Sequence, residues 1–200
     1  MQYPVFVGFH FDRAPKYPVY KIGAEKLQIR CDELGIKHDI QELDLWDYVD
    51  KYRSSHAADI AERRIVFRYI PIFIRKMLKA YNSPILYIHG DSRIIRKPDP
   101  ALFTADMDVE WSGGHDELDV WASPIYLRPS SLADTFLDLW EFKCQRIDND
   151  ISEHPFLLTT LDDLKSQAGV MPFNGCISSE RPVDNPDILY GQGIPKPKFE

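Results

Sequence analysis

The chain has 200 residues and a formal net charge of −7, from 31 acidic against 24 basic side chains. That balance repels a polyanion unless Lys and Arg gather on one face, which disfavours nucleic acid as a partner. With 44% hydrophobic and 28% charged residues the composition excludes general disorder, and the length suits one core that buries about 70% of the unfolded surface. No apolar run approaches the ~20 residues that span a bilayer, and no basic leader precedes Pro4 to Phe9, so the expected setting is cytoplasmic.

Val5 to Phe11 is a short run rich in Val and Phe, bounded by Pro4 and by Asp12-Arg13-Ala14-Pro15, and it reads as a buried first strand. From Tyr20 to Leu34, Ile22, Leu27, Cys31 and Leu34 recur at roughly helical spacing, and Gly35 stands where a left-handed helix cap belongs. Lys37 to Leu43 alternates as a second strand. A strand, a helix and a strand within about forty residues form a right-handed βαβ unit, whose sheet is covered on both faces.

Ala57 to Tyr81 is helical in composition, but Pro71 removes a backbone donor and crowds the preceding turn, so the segment divides or kinks there. Ile85 to Ile88 then forms a short apolar strand that delivers His89-Gly90-Asp91-Ser92 at its C-terminal end, the end where open α/β sheets bind ligands. Further strands are expected at Arg93–Arg96, Met107–Trp111 and Val120–Leu127, with Ser112-Gly113-Gly114 as the turn between the last two. Ser130 caps a helix that buries Leu132, Phe136, Leu139 and Trp140, and a shorter helix covers Pro155 to Leu164. Prolines 182, 186, 195 and 197 with glycines 191 and 193 leave 181–200 as a tail without regular structure. The whole is expected to be one domain, 1–200. Cys31, Cys144 and Cys176 stand far apart and read as free thiols, the first two inside helical apolar patterns.

His89-Gly90-Asp91 places an imidazole and a carboxylate two residues apart beyond a buried strand, a pair able to reach one divalent ion, with a glycine that lets backbone approach a ligand. The stretch Tyr87-Ile88-His89-Gly90-Asp91-Ser92-Arg93-Ile94-Ile95, followed by Lys97-Pro98 and Phe103, resembles the Asp-x-Asp strand of GT-A glycosyltransferases. Other landmarks stand in that family's order. Tyr17 and Tyr20 open a helix after strand one, Cys31 to Ile40 close it, Phe73-Ile74 precede the motif strand, and Ile125-Tyr126-Leu127-Arg128-Pro129-Ser130 leads into Phe136-Leu137-Asp138-Leu139-Trp140. The resemblance spans nearly the whole chain.

It implies an α/β fold, GT-A-like (Rossmann-like), with a mostly parallel central sheet flanked by helices. It also implies transfer of a sugar from a nucleotide-diphosphate sugar to an acceptor hydroxyl on a glycan, small molecule, protein or modified nucleic acid. Asp91 matches the motif's second acid and His89 replaces the first, so these two would hold manganese or magnesium with the donor phosphates, the imidazole favouring manganese. Pro186 to Gln192 stands where such enzymes place a late histidine, with Tyr190 and Gln192 here instead, and this assigns Gln192 to the donor. Phe9 falls at the strand end that meets the nucleobase.

The diphosphate leaving group calls for positive charge. Arg68 is the first choice, ahead of Lys21, Arg64, Lys196 and Lys198. Glu153, in a Glu-His-x-x-Leu element at the place of the family's Asp-Gln-x-x-Leu, is the expected base if the reaction inverts, ahead of Asp150, Asp148 and Glu117. A retaining reaction on the donor's front face needs little help from such a group, and both stay open. Trp111, Trp121, Tyr126 and Phe11 offer ring faces for sugars. One alternative is a GT-A-like binding or scaffolding domain without catalysis. Another is suggested by Lys97-Pro98-Asp99-Pro100, which is similar to an element of haloacid-dehalogenase-like phosphatases. Those enzymes end their first strand on an Asp-x-Asp nucleophile pair, however, where this chain has His10-Phe11-Asp12.

Overall fold

A computed structural model describes residues 2–11, 19–55, 62–103, 108–113, 120–146, 153–164, 166–167, 169–172, 178–179 and 187–189. In chain order the elements are β1 (Val5–His10), α1 (Val19–Glu33), β2 (His38–Glu42), α2 (Trp46–Ser55), α3 (Glu62–Phe67), α4 (Ile70–Tyr81), β3 (Ile85–Tyr87), β4 (Arg93–Ile94), β5 (Val109–Gly113), β6 (Val120–Leu127), α5 (Ser131–Arg146), α6 (Glu153–Leu164), β7 (Val170–Pro172), β8 (Ser178–Ser179) and β9 (Ile188–Leu189).

The main sheet has six strands in the order β2-β1-β3-β6-β5-β7. β1 runs parallel to both β2 and β3, and β5 runs parallel to β7, while β6 is antiparallel to both its neighbours. This is the mostly parallel α/β sheet expected from the strand–helix–strand beginning. A second sheet of three short strands, β4-β9-β8, lies beside it.

Period-two alternation sorts the strand residues cleanly onto two faces. Val5, Val7, Phe9 and Phe11 with Ile85 and Tyr87 join the core formed by α2 to α6. Phe6, Leu86, Ile88 and Tyr126 join a second core with Leu27 and Cys31 of α1 and Ile94 of β4. Burial pushes the Cys31 thiol up to about 12, so it is a packing residue rather than a nucleophile. Cys144 is likewise buried and free, and Cys176 lies outside the described residues.

Helix ends follow local chemistry. Gly35 (φ 59°) ends α1, its amide bonding to the Asp32 carbonyl at 3.1 Å while Ile36 N–H reaches Cys31 O at 2.8 Å. Pro71 sits in the first turn of α4, where its missing N–H costs nothing, and so separates α3 from α4 as expected. Ser130 Oγ accepts the Ala133 amide at 3.1 Å at the start of α5.

Four features differ from expectation. α2 has no counterpart in the pattern of apolar residues. Ser112 and Gly113 belong to β5 rather than to a turn. The Arg93–Arg96 strand is only Arg93–Ile94 and pairs with β9, outside the main sheet. Ile188-Leu189, expected in an irregular tail, forms β9 because its backbone finds two partners, β4 and β8. No helix among the described residues is long and apolar enough to cross a membrane.

Gly8 lies on the α1 face between Phe6 and His10, and a Cβ built on it would stand 2.4 Å from the Ile88 carbonyl oxygen. No flexible side chain is available to move aside, so β1 and β3 would have to part. Gly8→Ala is expected to cost about 1–3 kcal/mol, read as a lower urea midpoint at unchanged slope.

Candidate active site

The parallel strands β1, β2 and β3 end on one edge of the sheet, with His10 opposite Glu42 and Val7 opposite Tyr87. Beyond β3 the backbone keeps pairing for one more residue, Ile88 N–H to Val7 O at 2.9 Å, and then turns, Ser92 N–H bonding to His89 O at 3.0 Å. Gly90 and Asp91 are the central residues of this turn. A Cβ on Gly90 would lie 3.2 Å from Phe9 O and 3.4 Å from the His10 Cβ, so the turn is pressed onto the end of β1. Its entry is fixed by the buried hydroxyl of Ser123, which accepts the His89 amide at 3.0 Å.

The exit of the turn is held from two sides. Arg30 of α1 donates through Nε to Ile94 O (3.0 Å) and through Nη2 to Ile95 O (2.6 Å). From the other side, the Asp187 carbonyl accepts from Ile95 N–H at 2.8 Å, and its buried carboxylate pairs with Arg96. None of Ser123, Arg30 and Asp187 stands out in the sequence. Their partners lie far along the chain, and no local spacing announces them.

Asp91 is partly buried, and among the described residues no cationic side chain pairs with it. Burial raises its carboxyl above the ordinary aspartate range, a shift only partly offset by its own backbone N–H. A carboxylate desolvated without a counter-charge is a group whose charged form a bound cation would stabilise.

His89 is placed differently from the expectation that it joins Asp91 on one ion. It follows Tyr87 at the strand's two-residue period, so its ring is buried on the α3 side, stacked on Phe67 (centroids 5.8 Å apart, 19° between planes) and edge-on to Tyr87 at 5.6 Å. Among the described residues no group of three or more His, Cys, Asp and Glu could hold a metal. Asp91 remains as a single candidate ligand, which is compatible with magnesium or manganese, since these ions accept one protein carboxylate where other oxygen donors complete the shell.

Arg68 also departs from its expected role on the donor phosphates. It is fully buried, its Nη1 donates to Tyr52 Oη and to Cys144 O (3.3 Å), and its guanidinium lies 5.2 Å from the ring centres of both Tyr52 and Phe156. The residue is committed to packing helices together. Phe9, expected at the nucleobase, turns its ring into the core against Phe73 (4.9 Å), Tyr69 and Tyr87. Alternation places its odd-numbered position on that face.

Tyr126 is buried against Phe103, Phe11 packs on Trp46, and Lys21 pairs with Glu42 on the surface. Glu153 begins α6, but its side chain lies outside the described residues, as do those of Trp111 and Trp121. Gln192, Tyr190, Glu117, Asp148, Asp150, Lys196 and Lys198 are outside them altogether. His10 is a site residue that sequence reasoning misses. It is buried at the last position of β1, directly under Gly90, and the alternation that puts Phe6 on the α1 face puts it there too.

Sheet order and the short second sheet define an α/β fold with a carboxylate turn at the C-terminal edge of its parallel strands, and solved structures share this architecture. A glycosyltransferase involved in glycosylation of the major capsid of PBCV-1 matches with TM-score 0.61 at 8% identity, covering 94% of this chain and 93% of that one. Mouse xyloside xylosyltransferase 1 in its apo form matches with TM-score 0.54 at 9% identity, covering 97% and 99%. The glycosyltransferase GlyE of Streptococcus pneumoniae TIGR4 matches with TM-score 0.54 at 13% identity, and there the chain covers only 57% of the longer protein. No family model and no curated protein sequence matches the chain. Likeness at such identities establishes architecture, and the chemistry has to come from the site.

Proposed function

We propose that the protein is a glycosyltransferase that uses a nucleotide-diphosphate sugar, binding the diphosphate at the His89–Ser92 turn. The observation that carries this reading is Asp91, a partly buried carboxylate without a cationic partner among the described residues, at the tip of a turn fixed on both legs at the ligand-binding edge of the sheet. A magnesium or manganese ion between Asp91 and the donor would neutralise charge on the diphosphate.

The chain's own part is to position and to exclude water. Gly90 lets the turn seat directly on the end of β1, where His10 lies beneath it and fixes the height at which Asp91 is presented. In the reaction the acceptor oxygen bonds to the anomeric carbon while the bond from that carbon to the diphosphate oxygen breaks. The hydroxyl proton goes to a base, for which Glu153 at the start of α6 is the proposed group.

The test is a thermal-shift screen against UDP-, GDP-, CDP- and dTDP-sugars, with and without manganese, followed by product analysis with the stabilising donor. A ligand at a hundred times its dissociation constant adds about 2.7 kcal/mol, which a melting curve resolves. Metal-dependent stabilisation by one base is the expected result. Indifference to every donor would overturn the transferase reading and leave a glycosyltransferase-like binding or scaffolding domain.

A further inference from the structure

On the α1 side of the motif turn a groove of about 590 Å³ runs between α1 and β4. It adjoins the turn directly. Ser92 lines it, and so does Gly23, whose neighbour Ala24 lies 3.8 Å from where a Gly90 Cβ would be. From Gly23 to Glu33 the helix wall is about 15 Å long at 1.5 Å per residue.

Three properties define what fits it. Its apolar lining is aliphatic, from Leu27, Ile29, Ile94 and Ile95, and among the described residues no aromatic ring faces it. Sugar rings stack on aromatic faces, so the lining suits a hydrocarbon chain better than a glycan. The apolar character continues onto the surface of α1. Ile22 and Ile29, two helical turns apart on either side of Lys26, are 43% and 58% exposed.

The charge at the rim is positive in a chain whose net charge is −7. Arg30 is neutralised by Glu33 at 2.8 Å and occupied by the Ile94 and Ile95 carbonyls, which leaves Lys26 and Arg93, both exposed and neither paired with an acid among the described residues. Ser92, the last residue of the turn, lines the same groove, and its hydroxyl is buried with no hydrogen-bond partner among those residues. Buried hydroxyls are rarely left so, and an anionic oxygen would accept its proton.

The geometry points to this groove as the subsite for an anionic amphiphile, a single aliphatic chain along Leu27, Ile29 and Ile94 with its anionic head at Lys26, Arg93 and Ser92. That the occupant is the acceptor rests on the transferase reading, since the groove reaches Ser92, the residue after Asp91; that it binds does not. Titration calorimetry with octyl phosphate as monomer provides the test, compared with octyl glucoside, which has the same chain without charge, and with inorganic phosphate, the head alone.

Octyl phosphate is expected to bind at least tenfold more tightly than either control. The affinity should fall at least tenfold in Lys26→Gln/Arg93→Gln and, separately, in Ile29→Asp. All three positions are exposed, so the fold is preserved in these variants. Absence of binding, equal binding of either control, or affinity unchanged in both variants would overturn the assignment. Binding of octyl phosphate without binding of any nucleotide sugar would retain the groove and remove the transferase reading. Sugar transfer in a protein that does not bind octyl phosphate would do the reverse.

Discussion

Replacing Asp91 with Asn is expected to slow transfer by about 100- to 1,000-fold while making the ligand-free protein more stable. The two effects have one cause. Burial of Asp91 without a compensating cation raises its carboxyl above the ordinary range, so the folded state holds its proton to higher pH than the unfolded chain does. Folding therefore binds a proton in the window that opens at the unfolded aspartate value and closes at the raised folded value. Stability is greatest below that window and falls as pH rises through it. An amide cannot ionise, so the Asp91→Asn substitution would remove this loss. The variant's urea midpoint should exceed the wild type's above the window and match it below.

Function runs the other way. An ion shared with the donor diphosphate needs the carboxylate, so donor affinity should rise with pH through the same window and the Asn variant should lose that dependence. Loss of charge stabilisation at the leaving group is worth about 100- to 1,000-fold in rate. An Asn variant that keeps wild-type donor-dependent turnover would sink the site assignment. One that loses both turnover and stability would show that Asp91 holds the turn together instead.

The sheet is legible because its strands obey the two-residue period so strictly. Val5, Val7 and Phe9 against Phe6 and Ile88 assign both faces of the central strands, and the glycine and proline signals at Gly35 and Pro71 fall where the helices break. α2 escapes notice although Leu45, Val49 and Tyr52 are buried and Asp44 caps the Trp46 amide at 3.1 Å, since the intervening Asp47, Asp50 and Lys51 mask the spacing. β7 and β9 span three and two residues, too few to show a period, and form only because neighbouring strands supply their hydrogen bonds.

At the site, the position of Asp91 follows from where β3 ends. What the motif does not convey is orientation. The resemblance aligns His89 with a metal-binding acid, yet the register that buries Tyr87 also buries the ring two residues on. A helix-borne arginine reads as solvated charge or as a phosphate ligand until its neighbours are known, and among the described residues Arg68 meets Tyr52 of α2, Cys144 of α5 and Phe156 of α6.

Arg68→Ala is accordingly expected to destabilise the fold by about 3–5 kcal/mol and to leave the donor affinity of the remaining folded protein unchanged. The Cys144 carbonyl lies in the last turn of α5, where helix geometry leaves carbonyls without an intrahelical donor and concentrates the negative end of the helix dipole. Arg68 Nη1 and Tyr52 Oη both supply hydrogen bonds to that oxygen, the latter at 3.2 Å. Truncation to Ala would remove a cationic cap and open a cavity between the Tyr52 and Phe156 rings. Arg68→Met should be much milder, because its thioether chain refills most of the volume and Tyr52 still caps the carbonyl. Urea denaturation of the two variants separates packing from charge, and nucleotide-sugar titration of the folded Met variant tests for a phosphate role. Wild-type stability in Arg68→Ala, together with lost donor binding, would reinstate Arg68 as a donor ligand and undo the reading of this cluster as the joint between α2, α5 and α6.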